Sequence, residues 1–92
     1  MPLLNDEQVT VALEDSAWAR EGDALVREWR FADFAAAIAF VERVAECAED
    51  ANHHPDILVH GWNKVRLTLS THSEGGITAA DLSLAQRLDT VG

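Results

Sequence analysis

Ninety-two residues, 48% of them hydrophobic and none in a low-complexity tract, fit one small domain spanning 1–92 that buries only about 60–65% of its unfolded surface and gains from oligomerisation. Sixteen acids against seven bases leave a formal net charge of −9, and Arg20, Arg27, Arg30, Arg43, Lys64, Arg66 and Arg87 stand singly among acids; direct nucleic-acid binding and attachment to an anionic membrane are disfavoured, because both recruit clustered Lys and Arg. The lone Cys47 excludes an intrachain disulfide, the opening residues show no signal-peptide pattern, and the most apolar stretch, Phe34 to Val41, is too short to cross a bilayer, so a soluble, cytoplasmic protein is expected.

Asn5-Asp6-Glu7-Gln8 reads as a helix start. Asn5 can cap, Gln8 stands at the capping-box position, and Leu4 and Val9 are spaced for a hydrophobic staple, giving a short helix from Asp6 to Leu13. Gly22-Asp23 then separates two strand segments, Ser16–Arg20 and Ala24–Phe31. In the second, Leu25, Trp29 and Phe31 share a face interrupted by Arg27, while Val26, Glu28 and Arg30 take the other. Asp33 to Asp50 carries the clearest helical period: Phe34, Ile38, Val41, Ala45 and Ala48 make an apolar stripe, widened by Phe40, Val44 and the alanines. Pro55 forbids the helix from continuing and biases His54 towards extended backbone. A second hairpin follows, Ile57–His60 and Val65–Thr71 around Gly61-Trp62-Asn63-Lys64. Its latter strand points Val65, Leu67, Leu69 and Thr71 one way, and Arg66, Thr68, Ser70 and, if the strand extends that far, His72 the other. After Gly75-Gly76 a last helix runs from about Ala79 to Thr90, with Thr78 and Asp81 as a capping box and Ile77 and Leu82 as a staple. The order α-β-β-α-β-β-α predicts an α+β fold: a four-stranded antiparallel sheet with three helices on one face, whose edge strands invite a second subunit.

The chemistry-bearing residues concentrate in Glu49-Asp50-Ala51-Asn52-His53-His54-Pro55 and in His72. Histidine both donates and accepts a proton near neutral pH. Three readings are open. Two imidazoles on opposite sides of a small substrate can remove one proton and deliver another, with no nucleophile and no metal. Alternatively, the three histidines with Asp56 can supply a zinc sphere. Against the metal, adjacent His53 and His54 diverge in extended backbone, and neither a helical His-x-x-x-His nor a Cys-x-x-Cys is present. Finally, His53 can simply cap the end of the long helix while His54-Pro55 shapes a turn.

The spacing is similar to that of the pterin-4a-carbinolamine dehydratases, also called 4a-hydroxytetrahydrobiopterin dehydratases. Glu49 is followed by three residues and His53-His54-Pro55, then by six residues and Trp62, nine more and His72, and eight more and Asp81. Further similarity lies in Trp62-Asn63-Lys64-Val65, in Leu67-Thr68-Leu69-Ser70-Thr71-His72 and in Phe31-Ala32-Asp33-Phe34; it extends from about Asn5 to Val91. The resemblance implies dehydration of a 4a-hydroxytetrahydropterin to the quinonoid dihydropterin without a cofactor, recycling the pterin spent by aromatic amino-acid hydroxylases. It implies His53, His54 and His72 as catalytic histidines, with Glu49, Asn52, Pro55, Ser70, Thr71 and Asp81 as substrate contacts or supports. It also implies three helices on a four-stranded antiparallel sheet, assembled as a homodimer or homotetramer.

On that resemblance, His53 and His72 share the acid and base roles and His54 binds the pterin. For Glu49 two readings stand: an orienting hydrogen bond to an imidazole or substrate, or a solvated place on the helix's acidic face. Asp81 has its capping box to explain it, and Ser70 and Thr71 either contact substrate or merely suit a strand. Trp62 lines the pocket or packs, Cys47 is a small core or helix residue, and His60 lies outside the pattern. Many members carry Asp where this chain has Asn52. The amide keeps the hydrogen-bonding shape but lacks the charge that favours a protonated imidazole nearby; catalysis is expected to survive, with its acid limb moved. Two rival tasks follow from the same resemblance: a non-catalytic dimerisation or assembly factor with a protein partner, and a dehydratase-like step in molybdopterin metabolism.

Overall fold

The computed structural model describes residues 2–91. Its elements are α1 (Asp6–Ala12), β1 (Ala19–Glu21), β2 (Ala24–Arg30), α2 (Phe34–Ala51), β3 (Asp56–His60), β4 (Lys64–Leu69) and α3 (Ala79–Leu88). The four strands form an antiparallel sheet in the order β1-β2-β4-β3, so β2 and β4 are central and β3 is a long edge. This is the α+β architecture and element order that the sequence pattern predicts.

Alternation along the central strands decides which face is covered. Leu25 and Trp29 on β2 and Val65, Leu67 and Leu69 on β4 are buried and join Val9 of α1, Phe40 and Val44 of α2 and Leu84 and Leu88 of α3 in one core. Their neighbours Glu28, Arg30 and Arg66 are exposed on the opposite face. Aromatic rings organise the centre: Trp29 lies 4.8 Å from Phe40 and meets Trp18 edge-on at 5.7 Å. Arg27 breaks the apolar row of β2 without leaving a charge stranded. Its guanidinium lies 4.3 Å over the Trp29 ring and binds Asp89, which also accepts the Trp18 indole N–H at 2.7 Å.

The expectations for β1, α2 and β4 are corrected. The first strand begins at Ala19 rather than Ser16, because Asp15 turns the chain with φ 59° and the Ser16 hydroxyl accepts the Trp18 amide; Trp18 is thereby tucked under the sheet. The apolar stripe of α2 is turned by about a quarter of a revolution at 100° per residue. Ala37, Phe40, Val44, Cys47 and Ala48 are its buried face, whereas Phe34 is 54% exposed, Ala45 is exposed, and Ile38 and Val41 are half-buried. Both rows have helical spacing, so periodicity alone could not choose between them. Finally, β4 ends at Leu69. Thr71 forms an isolated bridge with Gly76, and the amides of Glu74, Gly75 and Gly76 all point to the Thr71 carbonyl, closing a tight turn in which Gly75 has φ 77°. His72 is therefore an exposed turn residue and not a member of the polar strand row.

The termini of the helices follow their capping signals. Asn5 and Gln8 exchange side chain-to-backbone hydrogen bonds of 2.8 Å, and Thr78 with Asp81 repeats the arrangement at α3. The last helix stops at Leu88, two residues short of expectation, where the Thr90 amide and hydroxyl both turn back to the Arg87 carbonyl.

Candidate active site

The site begins at the end of α2. Asn52 adopts the left-handed conformation, φ 51° and ψ 41°, and its amide reaches the Glu49 carbonyl while the His53 amide reaches the Ala48 carbonyl at 3.1 Å. This pair of backward bonds is a Schellman closure, and Asn is one of the few residues that tolerates its left-handed position. Pro55 then holds the exit extended. His53 and His54 are thus fixed on a rigid corner between α2 and β3, and Asn52 owes its place to the backbone.

Beneath that corner, His53 Nε2 lies 2.5 Å from Oδ1 of Asp81. The Asp81 side chain is completely buried and the His53 side chain is 17% exposed. Asp81 stands at the third position of α3, where the Thr78 amide donates to its Oδ2 at 2.9 Å and the Thr71 hydroxyl donates to the same oxygen at 2.8 Å. An ionised carboxylate only accepts, so the imidazole presents Nε2–H to it and Nδ1 is the free acceptor of the neutral ring. The capping box expected for Asp81 is present, and the same carboxylate also orients His53. Within the single chain the Asp81 side chain is wholly covered, and its contacts are to His53, Thr71 and Thr78.

The other expected site residues are distributed unevenly. His54 is 57% exposed, with Nε2 3.4 Å from Oε2 of the still more exposed Glu49, a long and weak contact. His72 belongs to the turn that starts at Thr71, one residue from the hydroxyl that binds Asp81, and its ring makes no hydrogen bond among the described residues. The Thr71–Asp81–His53 contacts therefore bring the turn bearing His72 and the corner bearing His53 to the same end of the fold. The Ser70 hydroxyl donates to the Asp23 carbonyl at 2.9 Å and tethers the end of β4 to the β1–β2 turn. Trp62 sits at the opposite end of the β3–β4 hairpin with φ 60° and is 61% exposed, so it neither lines this site within one chain nor packs in the core. Thr78, assigned only a cap from sequence, completes the site by binding both Asp81 and Thr71. Its spacing from Thr71 becomes meaningful only once the turn at Gly75-Gly76 folds them together.

An open groove of about 420 Å³ lies elsewhere, between the C-terminal ends of α2 and α3, lined by Arg43, Glu46, Cys47, Asp50, Arg87, Thr90 and Val91. Its charges are largely paired. The Asp50 carboxylate hydrogen-bonds Arg87 and holds that guanidinium above the ordinary arginine range, and Arg43 donates to the Val91 carbonyl. It contains no imidazole, so the proton-transfer groups point to the His53 corner instead. Among the described residues no group of three or more His, Cys, Asp or Glu side chains converges as a metal site, and no helix is long and apolar enough to cross a membrane.

Known proteins share this fold and much of this sequence. The profile of the family described as Pterin 4 alpha carbinolamine dehydratase matches residues 2–91. A Nocardia farcinica protein carrying the provisional name pterin-4-alpha-carbinolamine dehydratase is 52% identical over 88 residues, covering 95% of this chain and 92% of its own. A Thermomicrobium roseum protein with the same provisional name is 49% identical over 89 residues, covering 96% and 95%. Among solved structures, a transcriptional coactivator/pterin dehydratase from Brucella melitensis superposes with a TM-score of 0.89 at 32% identity over 97% of both chains. A pterin dehydratase-like protein identified as a RuBisCO assembly factor in the alpha-carboxysome superposes with a TM-score of 0.68 at 27% identity, covering 82% of this chain and 88% of its own. The chain belongs to the pterin-4a-carbinolamine dehydratase family.

Proposed function

We propose that the protein is a cytoplasmic 4a-hydroxytetrahydropterin dehydratase, producing quinonoid dihydropterin and water and so recycling the pterin of aromatic amino-acid hydroxylases. The observation that carries this reading is the His53–Asp81 pair, an imidazole oriented by a fully buried carboxylate beside the turn that bears His72. In a carbinolamine the hydroxyl-bearing carbon is bonded to nitrogen. Elimination breaks the carbon–oxygen bond, makes the carbon–nitrogen bond double, and balances the proton delivered to the departing water with one withdrawn from the ring nitrogen. His53, through Nδ1, and His72 share those two transfers, each contributing on the order of 10²–10⁴ in rate. His54, exposed beside them, hydrogen-bonds the pterin.

Assembly as a homodimer or homotetramer belongs to this proposal. The second apolar row of α2, with Phe34 at 54% exposure, and Leu58 on the edge strand β3 at 53% are left uncovered by the single chain. Light scattering on the purified protein measures the subunit count directly.

The deciding assay supplies chemically generated 4a-hydroxytetrahydropterin with chelator present and follows its loss. Turnover is expected, and His53→Ala or His72→Ala should lower kcat by roughly 10²–10⁴. Near-wild-type turnover in both variants removes the proton-transfer assignment. A second reading, an assembly factor with a protein partner, is favoured by the likeness to the carboxysomal RuBisCO assembly factor. Absence of turnover together with a defined complex with a partner enzyme would establish that reading instead.

A further inference from the structure

We infer that Thr71 is a positioning residue whose hydroxyl fixes the proton order around Asp81 and thereby holds His53 with Nε2–H bound and Nδ1 free. The effect on turnover rests on the dehydratase reading above; the effect on the imidazole does not.

The inference follows from counting protons. Asp81 offers only acceptors. Its Oδ1 meets His53 Nε2 at 2.5 Å, while Oδ2 takes the Thr78 amide at 2.9 Å and the Thr71 hydroxyl at 2.8 Å. A hydroxyl has one proton, and that of Thr71 is committed to Asp81. At the 2.8 Å contact between Thr71 Oγ1 and Thr78 Oγ1 the donor must therefore be Thr78, whose oxygen in turn accepts the Ala80 amide at 3.2 Å. Each proton has one destination, the chain of bonds runs one way, and among the described residues no buried side-chain nitrogen or oxygen is left without a partner. With Oδ2 saturated by two donors, Oδ1 is reserved for His53.

Thr71 also acts on the second proposed proton carrier. Its carbonyl accepts amides of Glu74, Gly75 and Gly76, which shapes the turn carrying His72. One half-buried residue thus ties both imidazoles to the N-terminus of α3: the side chain through Asp81, the main chain through the turn. With its one proton given to Asp81, the Thr71 hydroxyl meets a substrate only as an acceptor. Valine at this position keeps the shape but removes the donor and the Thr78 acceptor together, so Oδ2 of Asp81 keeps only the Thr78 amide and the carboxylate holds the imidazole less firmly.

The test records ¹⁵N spectra of the histidine rings in the wild type, Thr71→Val and Thr71→Ser, alongside steady-state kinetics. The neutral His53 ring of the wild type is expected as the Nε2–H tautomer. Thr71→Val should populate both tautomers and lower kcat by about 10-fold or more with KM within about 3-fold, as expected for a misplaced catalytic group. Thr71→Ser, which restores the donor, should recover both readouts. A wild-type Nδ1–H tautomer, an unchanged Thr71→Val, or a Thr71→Ser no better than Thr71→Val each overturns the inference. Should Thr71→Val not fold, the wild-type tautomer and the serine variant still decide. If the wild type is inactive on the pterin yet Thr71→Val scrambles the tautomer, the dehydratase reading fails and the positioning role stands; an active wild type with an indifferent Thr71→Val does the reverse.

Discussion

Asn52 carries His53 on a left-handed residue: the φ of 51° at Asn52 is what lets the His53 amide turn back to the Ala48 carbonyl. The side-chain amide was expected to matter for its missing charge, but the backbone gives this position its first requirement. Left-handed geometry costs an ordinary L-residue about 1–2 kcal/mol, and glycine pays no such steric penalty. Asn52→Gly should therefore unfold in urea near the wild-type midpoint, while Asn52→Ala should lose about 1 kcal/mol. Equal midpoints for the two variants would dissociate the corner from its backbone conformation.

Asp81 combines a helix cap with an orienting bond, and the two roles respond differently to substitution. Asp81→Ala removes the capping oxygen and takes the acceptor from His53 Nε2–H and from the Thr71 hydroxyl, at an expected cost of about 2–4 kcal/mol. Asp81→Asn is the sharper probe. The carboxylate has donors on both oxygens, and an amide has only one oxygen to offer them, so one N–H or O–H must face an NH₂ group. The variant should remain folded by circular dichroism yet lose at least about 10-fold in kcat, with KM moving much less.

How much of this was legible before folding varied residue by residue. Asn5-Gln8 and Thr78-Asp81 are local signals and formed as read, because a capping box is decided within four residues. The element order follows from alternation and turn chemistry, whereas the central pairing of β2 with β4 joins strands separated by α2 and has no local signal. The buried face of α2 is ambiguous in the sequence because Phe34-Ile38-Val41-Ala45 and Ala37-Phe40-Val44-Cys47 are both apolar rows, and only packing against Trp29 selects the second. His72 was expected on a strand because Val65 to Thr71 alternates smoothly. The three amides converging on the Thr71 carbonyl come from residues beyond that pattern. The Asp81–His53 bond spans 28 positions, beyond the reach of helix or strand periodicity, and only the spaced family motif links the two residues in the sequence.

His54 is set apart from His53 by exposure: its side chain is 57% accessible and its partner Glu49 is 3.4 Å away and 78% accessible. Such a contact contributes little to stability. His54→Ala should leave the urea midpoint within about 0.5 kcal/mol of wild type. On the proposed role it should raise KM for the 4a-hydroxypterin more than it lowers kcat, the signature of lost binding. A kcat loss as large as that of His53→Ala would reassign His54 to proton transfer.

At the other end of the core, Asp89 accepts from Trp18 Nε1 and from Arg27, whose guanidinium also covers the Trp29 ring. Removing the carboxylate leaves a buried indole N–H and an unpaired cation facing an aromatic core. The pair is partly open, with side-chain exposures of 23% for Arg27 and 36% for Asp89, so solvent moderates the loss. Asp89→Ala is expected to cost about 1–2 kcal/mol, chiefly through the unsatisfied Trp18 N–H. Arg27→Met, which keeps a long apolar stem over Trp29 and leaves the Trp18–Asp89 bond intact, should cost less. Urea midpoints in the order wild type, Arg27→Met, Asp89→Ala would assign the stabilisation to the indole bond; the reverse order of the two variants would assign it to the guanidinium.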